Sequence, residues 1–171
     1  MKKNILVTIL LSSYMIYACS DDSGSSNDPF DDNVSFTVSG HTEGSYAGYG
    51  EVVVFSSSGF TSWGLDSYDI PDDTYFLSIE AFDGMDVING TGTYSIGGVD
   101  EADFFAFFSQ TNSDIFYESV SGTFTLTTLN ANRAAGTFQF DASGWDSESQ
   151  DNVTINIRNG EFDVRIYEGE Q

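Results

Sequence analysis

From residue 34 onward, apolar and polar residues alternate with a period of two over much of the chain. Val34, Phe36 and Val38 stand between Ser35 and Thr37, the pattern of a strand with one buried face. Residues 51–56 hold three consecutive valines and Phe55, which suits a strand covered on both faces, and 60–67 can pair back with it. Residues 75–82 and 91–96 form further β-rich runs, the first preceded by turn residues at 69–73 and the second by Asn89 and Gly90. The glycine-rich residues 40–50 read as a turn region. Residues 103–108 fit a strand or a short helix capped by Asp100, and their aromatic density favours the strand. Phe104, Ala106 and Phe108 then share one face and Phe105 and Phe107 the other, so both faces need cover and the strand should be internal.

The last third of the chain predicts hairpins. Residues 153–158 and 161–166 flank Asn159 and Gly160, a strong two-residue turn signal because a type I′ turn needs both residues at positive φ. That loop sets Ile157 opposite Phe162, Ile155 opposite Val164 and Val153 opposite Ile166, with the apolar pairs on one face. A second hairpin places Phe124 opposite Phe140 and Leu126 opposite Phe138, around a loop near residues 130–134. Gly92, Gly122, Gly136 and Gly160 each precede an aromatic residue by two positions, which reads as a repeated way of opening a strand; their spacing does not repeat, so a solenoid is set aside. The fold class expected is all-β, an antiparallel β-sandwich or flattened barrel of about eight to ten strands, formed by residues 34–171 as one domain.

Residues 1–18 have a different character. Lys2 and Lys3 precede an apolar run over 5–11 that continues through Tyr14, Met15 and Ile16, followed by the small Ala18 and the single cysteine, Cys19. This is the pattern of a secretory signal peptide, and the run is shorter than the roughly 20 apolar residues a spanning helix needs. A cysteine directly after a small residue predicts a bacterial lipoprotein, cleaved before Cys19 and joined to diacylglycerol through its sulfur, with more than one acyl chain to hold it at the membrane. Ser20, Asp21 and Asp22 resemble the acidic export signal behind the cysteine of surface lipoproteins in the Bacteroidota. That resemblance implies display on the outer face of the outer membrane, with the periplasmic leaflet as the alternative. Residues 19–33 are mostly Ser, Asp, Asn and Gly and predict a flexible acidic tether.

Charge narrows the partners. The full chain has 27 acidic and 5 basic side chains and a formal charge of -22. Loss of the leader removes Lys2 and Lys3 and leaves only Arg133, Arg158 and Arg165. Phosphate backbones are bound by Lys and Arg, so nucleic acid is excluded as a partner. With Cys19 modified, no disulfide can form within the chain. Cohesion must come from the core, for which 15 Phe and 9 Tyr supply bulky filling.

Between residue 92 and about residue 167 a series of motifs follows in order: Gly92-Thr-Tyr94, Ser121-Gly-Thr-Phe-Thr-Leu-Thr-Thr-Leu129, Ala135-Gly-Thr-Phe-Gln-Phe140, and Val153-Thr-Ile-Asn-Ile-Arg-Asn-Gly-Glu-Phe-Asp-Val164. This order resembles a family of small uncharacterised lipoproteins common in flavobacteria. The resemblance implies an all-β domain behind a lipidated cysteine, and it brings no catalytic residues with it.

Chemistry has few residues to work with. His41 is the only histidine and no Gly-x-Ser-x-Gly sequence occurs, so neither a hydrolase triad nor a zinc site finds its members. Carboxylates are so numerous that no pair stands out as acid and base. Calcium prefers oxygen ligands, and Asp69, Asp72 and Asp73, or Asp146, Glu148 and Asp151, could hold a structural ion; no other cofactor is implied. Trp63 and Trp145 sit among Gly, Ser and Asp and read as exposed loop rings. With Asp146 beside it, Trp145 has the ingredients of a sugar-stacking platform. The expectation is a non-enzymatic, acidic envelope domain that binds a glycan or another extracellular ligand. The alternative is a structural lipoprotein docking on an envelope protein through a sheet edge.

Overall fold

Alternation becomes strand along most of the chain. The computed structural model describes residues 32–57, 60–69, 72–82, 88, 90–99 and 101–169. These hold nine strands: β1 (Asn33–Gly40), β2 (Gly44–Ser57), β3 (Phe60–Tyr68), β4 (Tyr75–Phe82), β5 (Gly92–Gly97), β6 (Phe105–Gln110), β7 (Phe116–Asn130), β8 (Arg133–Asp146) and β9 (Asp151–Gly169). All lie in one sheet of order β5-β7-β6-β4-β3-β2-β1-β9-β8, and pairing of β7 with β8 closes eight of them into an antiparallel barrel with β5 as an extra strand. Of the two architectures expected, the barrel is the one formed. Its inward positions are apolar, whereas β7 to β9 turn residues such as Thr123, Thr137, Gln139, Asn156 and Glu161 outward. That polarity is the reverse of a lipid-facing barrel.

Two seams in the wall are built alike. Strand β9 is covered by β1 along Ile155 to Asp163, and beyond the start of β1 it is covered by β2, which pairs with it in parallel from Val52↔Ile166 to Phe55↔Gly169. Asp32 plugs this seam. Its carbonyl accepts from the Gly50 amide at 3.0 Å, and its nearly inaccessible carboxylate accepts from the Arg165 amide at 2.9 Å and Nε at 2.6 Å. Strand β7 is covered first by β6 and then, from Ser121, by β5. Here the buried Ser119 hydroxyl accepts from the Ala106 amide at 2.8 Å and donates to the Gly97 carbonyl at 2.6 Å. The outer edge of β5 is itself occupied. The Ser95 amide donates to the Asp103 carboxylate, the Phe104 amide to the Ser95 carbonyl, and the Gly97 amide to the Phe104 carbonyl. Docking through a sheet edge therefore finds little edge in this wall, because closure and the Asp103 cap use up its hydrogen-bonding groups.

Rings fill the interior. Phe36 contacts Tyr46, Tyr75 and Phe108 at centroid distances of 5.2, 5.3 and 5.9 Å, and a second cluster joins Trp63, Phe104, Phe124 and Phe162. Phe138 connects the two through Phe36 and Phe162. An eight-stranded barrel is about wide enough to be filled by its own side chains, and here these rings fill it. The glycines of the Gly-x-aromatic motifs make this possible. Only Gly92 opens a strand; Gly122, Gly136 and Gly160 lie inside β7, β8 and β9, paired with Phe140, Phe162 and Phe138 respectively. Gly136 and Gly160 leave room for the Phe162 and Phe138 rings, and Gly122 lets the backbone at Gln139 and Phe140 approach closely. The expected turn region of 40–50 is a turn only at 41–43, after Gly40 at positive φ, and 44–50 is strand. Strand β2 begins at Gly44, and a Cβ at Gly48 would lie 2.5 Å from the Tyr75 hydroxyl, so these glycines serve packing.

Asn159 and Gly160 form no hairpin. Strand β9 runs through them, with Asn159 at φ 54 as the extra residue of a bulge facing both β1 and β8. One extra residue shifts the alternation by one, so Ile157 and Phe162 both point inward, as the hairpin also required. The β7–β8 hairpin does form, with Asn130 opposite Arg133. A bulge at Thr127 moves its register, so that Phe124 faces Phe138 and Leu126 faces Gly136.

Two stability outcomes follow from these contacts. A Cβ at Gly136 would press on the Thr125 carbonyl and lie 3.0 Å from the Phe162 ring, so Gly136→Ala should cost about 2 kcal/mol in urea denaturation. Asp32→Asn should cost about 2 kcal/mol, less than a fully buried pair because the Arg165 side chain is partly exposed. A change of under 0.5 kcal/mol in that variant would show that the plug contributes nothing.

Candidate functional site

The outer face of β4, β6 and β7 breaks the polar rule of the wall. Phe76 on β4 and Phe105 and Phe107 on β6 are outward positions, fixed by the inward Leu77, Ala106 and Phe108 beside them. Phe107 lies 5.4 Å from Phe76, 6.1 Å from Phe105 and 5.0 Å from Phe116 at the start of β7, so the rings form one connected stripe. Phe116 is 48% exposed, and Val99 and Val120 are exposed nearby. Trp145, exposed on β8, lies two residues beyond the Glu118–Ser143 pair, toward the start of β7 where Phe116 stands. At the seam where β6 gives way to β5, Phe105, Phe107, Phe116, Val99 and Glu118 line a shallow groove of about 70 Å³. Small-molecule pockets run to roughly 300–1,000 Å³; this groove admits the tip of one side chain.

Acids underlie the neighbouring wall. Glu51 on β2 faces Asp66 on β3, and Asp66 faces Ser78 on β4. The Ser78 hydroxyl donates to Glu80 at 3.0 Å, and Glu80 pairs across with Phe105. Burial pushes all three carboxyls above their usual range; Asp66 raises Glu51 and Glu80 further by charge repulsion, while Ser78 partly offsets the rise at Asp66 and Glu80. Tyr49 donates weakly to Glu51 at 3.5 Å, and its ring contacts Tyr68 at 5.5 Å. Tyr68 is paired with Phe76, so aromatic residues run from β2 to β7 over the acid row.

The residues singled out in the sequence fare differently. Trp63 is only 5% exposed and belongs to the core, against Phe104 and Phe124. Its polar neighbours Ser62 and Asp66 are the outward half of a strand, which reads as a loop by composition. Trp145 is 56% exposed, as expected, but on a strand. Asp146 turns to its own loop. It accepts from the Glu148 amide at 2.8 Å and the Ser149 hydroxyl at 2.7 Å, and the Ser149 bond is the main reason its carboxyl sits below the usual range. Asp151 accepts from the adjacent Asn152 amide, and Asp69 from Thr74. Among the described residues no three His, Cys, Asp or Glu side chains converge as metal ligands, at Asp146, Glu148 and Asp151 or at Asp69, Asp72 and Asp73. Cys19, Ser20, Asp21 and Asp22 lie outside the described residues.

No family model matches the chain, and no curated protein or solved structure is significantly similar to it. The site must be read from its own geometry. Its signal in the sequence was the doublet pattern of 104–108, where both alternating faces are aromatic.

The raised carboxyls give a pH dependence with a definite sign. A folded-state pKa above the unfolded value means the native state binds the extra proton, so stability is full below the ordinary carboxylate range and falls as pH rises through the folded values. Urea midpoints should drop between pH 4 and pH 7. Asp66→Asn should raise the midpoint at pH 7 and leave it nearly unchanged at pH 4, while the exposed control Glu161→Gln should do neither. Equal effects of the two variants would assign the trend to net charge.

Proposed function

We propose that this protein is a lipid-anchored binding domain of the bacterial cell envelope, held through Cys19, displayed on the outer surface, and carrying out no chemistry of its own. The contact surface is the aromatic stripe of Phe76, Phe105, Phe107, Phe116 and Trp145. The observation that carries this reading is an outward row of large rings, half-buried at Phe76, Phe105 and Phe107 and exposed at Phe116 and Trp145, the kind of apolar patch that marks interaction surfaces. The ring-filled interior turns attention outward, since a binding barrel of this size would otherwise use its lumen. The leader ending in Ala18, the Cys19 that follows it, and the acidic Ser20, Asp21 and Asp22 supply the anchoring and export part of the reading.

The occupied edges favour side-chain docking over strand addition, and the groove accommodates a protruding side chain of a protein better than a free small molecule. A glycan reading keeps one support, the exposed Trp145 ring, which could stack on a sugar face. Its partner Asp146 is committed to the 147–150 turn.

Crosslinking in native membranes separates the two. The docking reading expects one reproducible protein neighbour, lost in Phe116→Ser; an unchanged neighbour in that variant would refute it. A glycan titration that quenches Trp145 fluorescence, with Trp145→Ala abolishing the response, would establish the glycan reading instead. Intact mass of the protein from its native host should show cleavage before Cys19 and added acyl mass; an unmodified thiol ends the anchoring part.

A further inference from the structure

We propose that the partner at the aromatic stripe is a basic polypeptide surface, one that sets Lys or Arg side chains against the acids around the stripe and an apolar side chain into the seam groove. This rests on the docking reading above and names the partner's chemistry. Three observations lead to it. Glu118 lines the groove beside Phe105, Phe107 and Phe116, and Glu80 is paired with Phe105 across the β4–β6 ladder. The positive charges of the described residues lie elsewhere: Arg133 pairs with Asp163, Arg158 with Asp141 and Arg165 with Asp32, all from β8 and β9. The acid row Glu51, Asp66 and Glu80 has hydroxyls from Tyr49, Tyr68 and Ser78 for company, and cations brought by a partner would compensate charges that are already half-desolvated.

Charge also decides among occupants. A second copy would bring the same acids to the same face, and a chain of -22 repels its like. An anionic lipid surface is repelled for the same reason. A basic face is attracted, steered at low salt, and then held by the rings, which also offer cation–π contacts to Arg and Lys.

The test uses the full chain in zwitterionic nanodiscs, with empty nanodiscs subtracted, and a labelled 12-residue peptide of alternating Lys and Leu carrying one benzophenone. Fluorescence anisotropy should show the Lys–Leu peptide binding at least about tenfold more tightly than Glu–Leu or Lys–Ser counterparts, with affinity falling as salt rises. Phe116→Ser should weaken binding at least about fivefold at unchanged charge, and Glu118→Gln should weaken it and flatten the salt dependence. Glu161→Gln, on the opposite wall, should leave it unchanged, and benzophenone adducts should map to β4, β6 and β7. Equal binding of the Glu–Leu peptide, indifference to Phe116→Ser, equal effects of Glu118→Gln and Glu161→Gln, or stripe-to-stripe crosslinks between two copies would each overturn the proposal. If native-membrane crosslinking finds a neighbour lost in Phe116→Ser whose contacting face is acidic or neutral, docking stands and the basic partner does not.

Discussion

A closed eight-stranded barrel has a fixed bore, and this one is filled with phenylalanine and tyrosine. Three of the pairings set a buried ring against a glycine on the facing strand. Gly122 stands against Phe140, Gly136 against Phe162, and Gly160 against Phe138, across three consecutive strands. The rest of the architecture depends on these pairs. They set the register of β7, β8 and β9, and with it the direction of every outward residue. Cohesion of this kind needs no disulfide and no metal. It tolerates a surface dominated by carboxylates, because most of the charges stay in water while the rings exclude it.

Three bulges adapt the long strands to that bore, one at Asn159 in β9 and two in β7, at Val120 and Thr127. The extra residue at Asn159 changes the parity of β9 partway along, and Thr127 does the same for β7. Each keeps the apolar residues on the inside after the strand has bent. The sequence pattern around Asn159 was legible, but two geometries satisfy it equally. A tight turn and a one-residue bulge both bring Ile157 and Phe162 to one face, and what selects the bulge is the continuous ladder of β8 alongside, a long-range partner that local pattern does not contain. The glycines at 44–50 posed a similar ambiguity: glycine beside tyrosine can mean a turn or room for a ring, and only the Tyr75 hydroxyl above Gly48 distinguishes them.

Much of the candidate site was also half visible. Trp145 is exposed on the strand end, as its surroundings suggested, whereas Trp63 is buried because β3 carries small polar residues on its outward face. The double aromatic face of 104–108 was recognised as needing cover on both sides. Inside, the core provides it for Phe104 and Phe108. Outside, Phe105 and Phe107 are half-buried and join Phe76 and Phe116 in one row of rings. The acid row beneath the tyrosines could not have been found locally, since Glu51, Asp66 and Glu80 are brought together by three strands whose register follows from the core.

Asp32 is the first described residue, and it is locked into the wall. It enters midway along β2 and β9, next to an interior strand hydrogen-bonded on both flanks. Tension drawn through the leading segment is therefore shared in shear between two ladders, with the Arg165 clamp at the point of entry. A chain held at an end strand would unzip one bond at a time. This one is fastened like a rivet through the middle of the sheet, so a pull at Asp32 is spread over both ladders while the stripe keeps its shape.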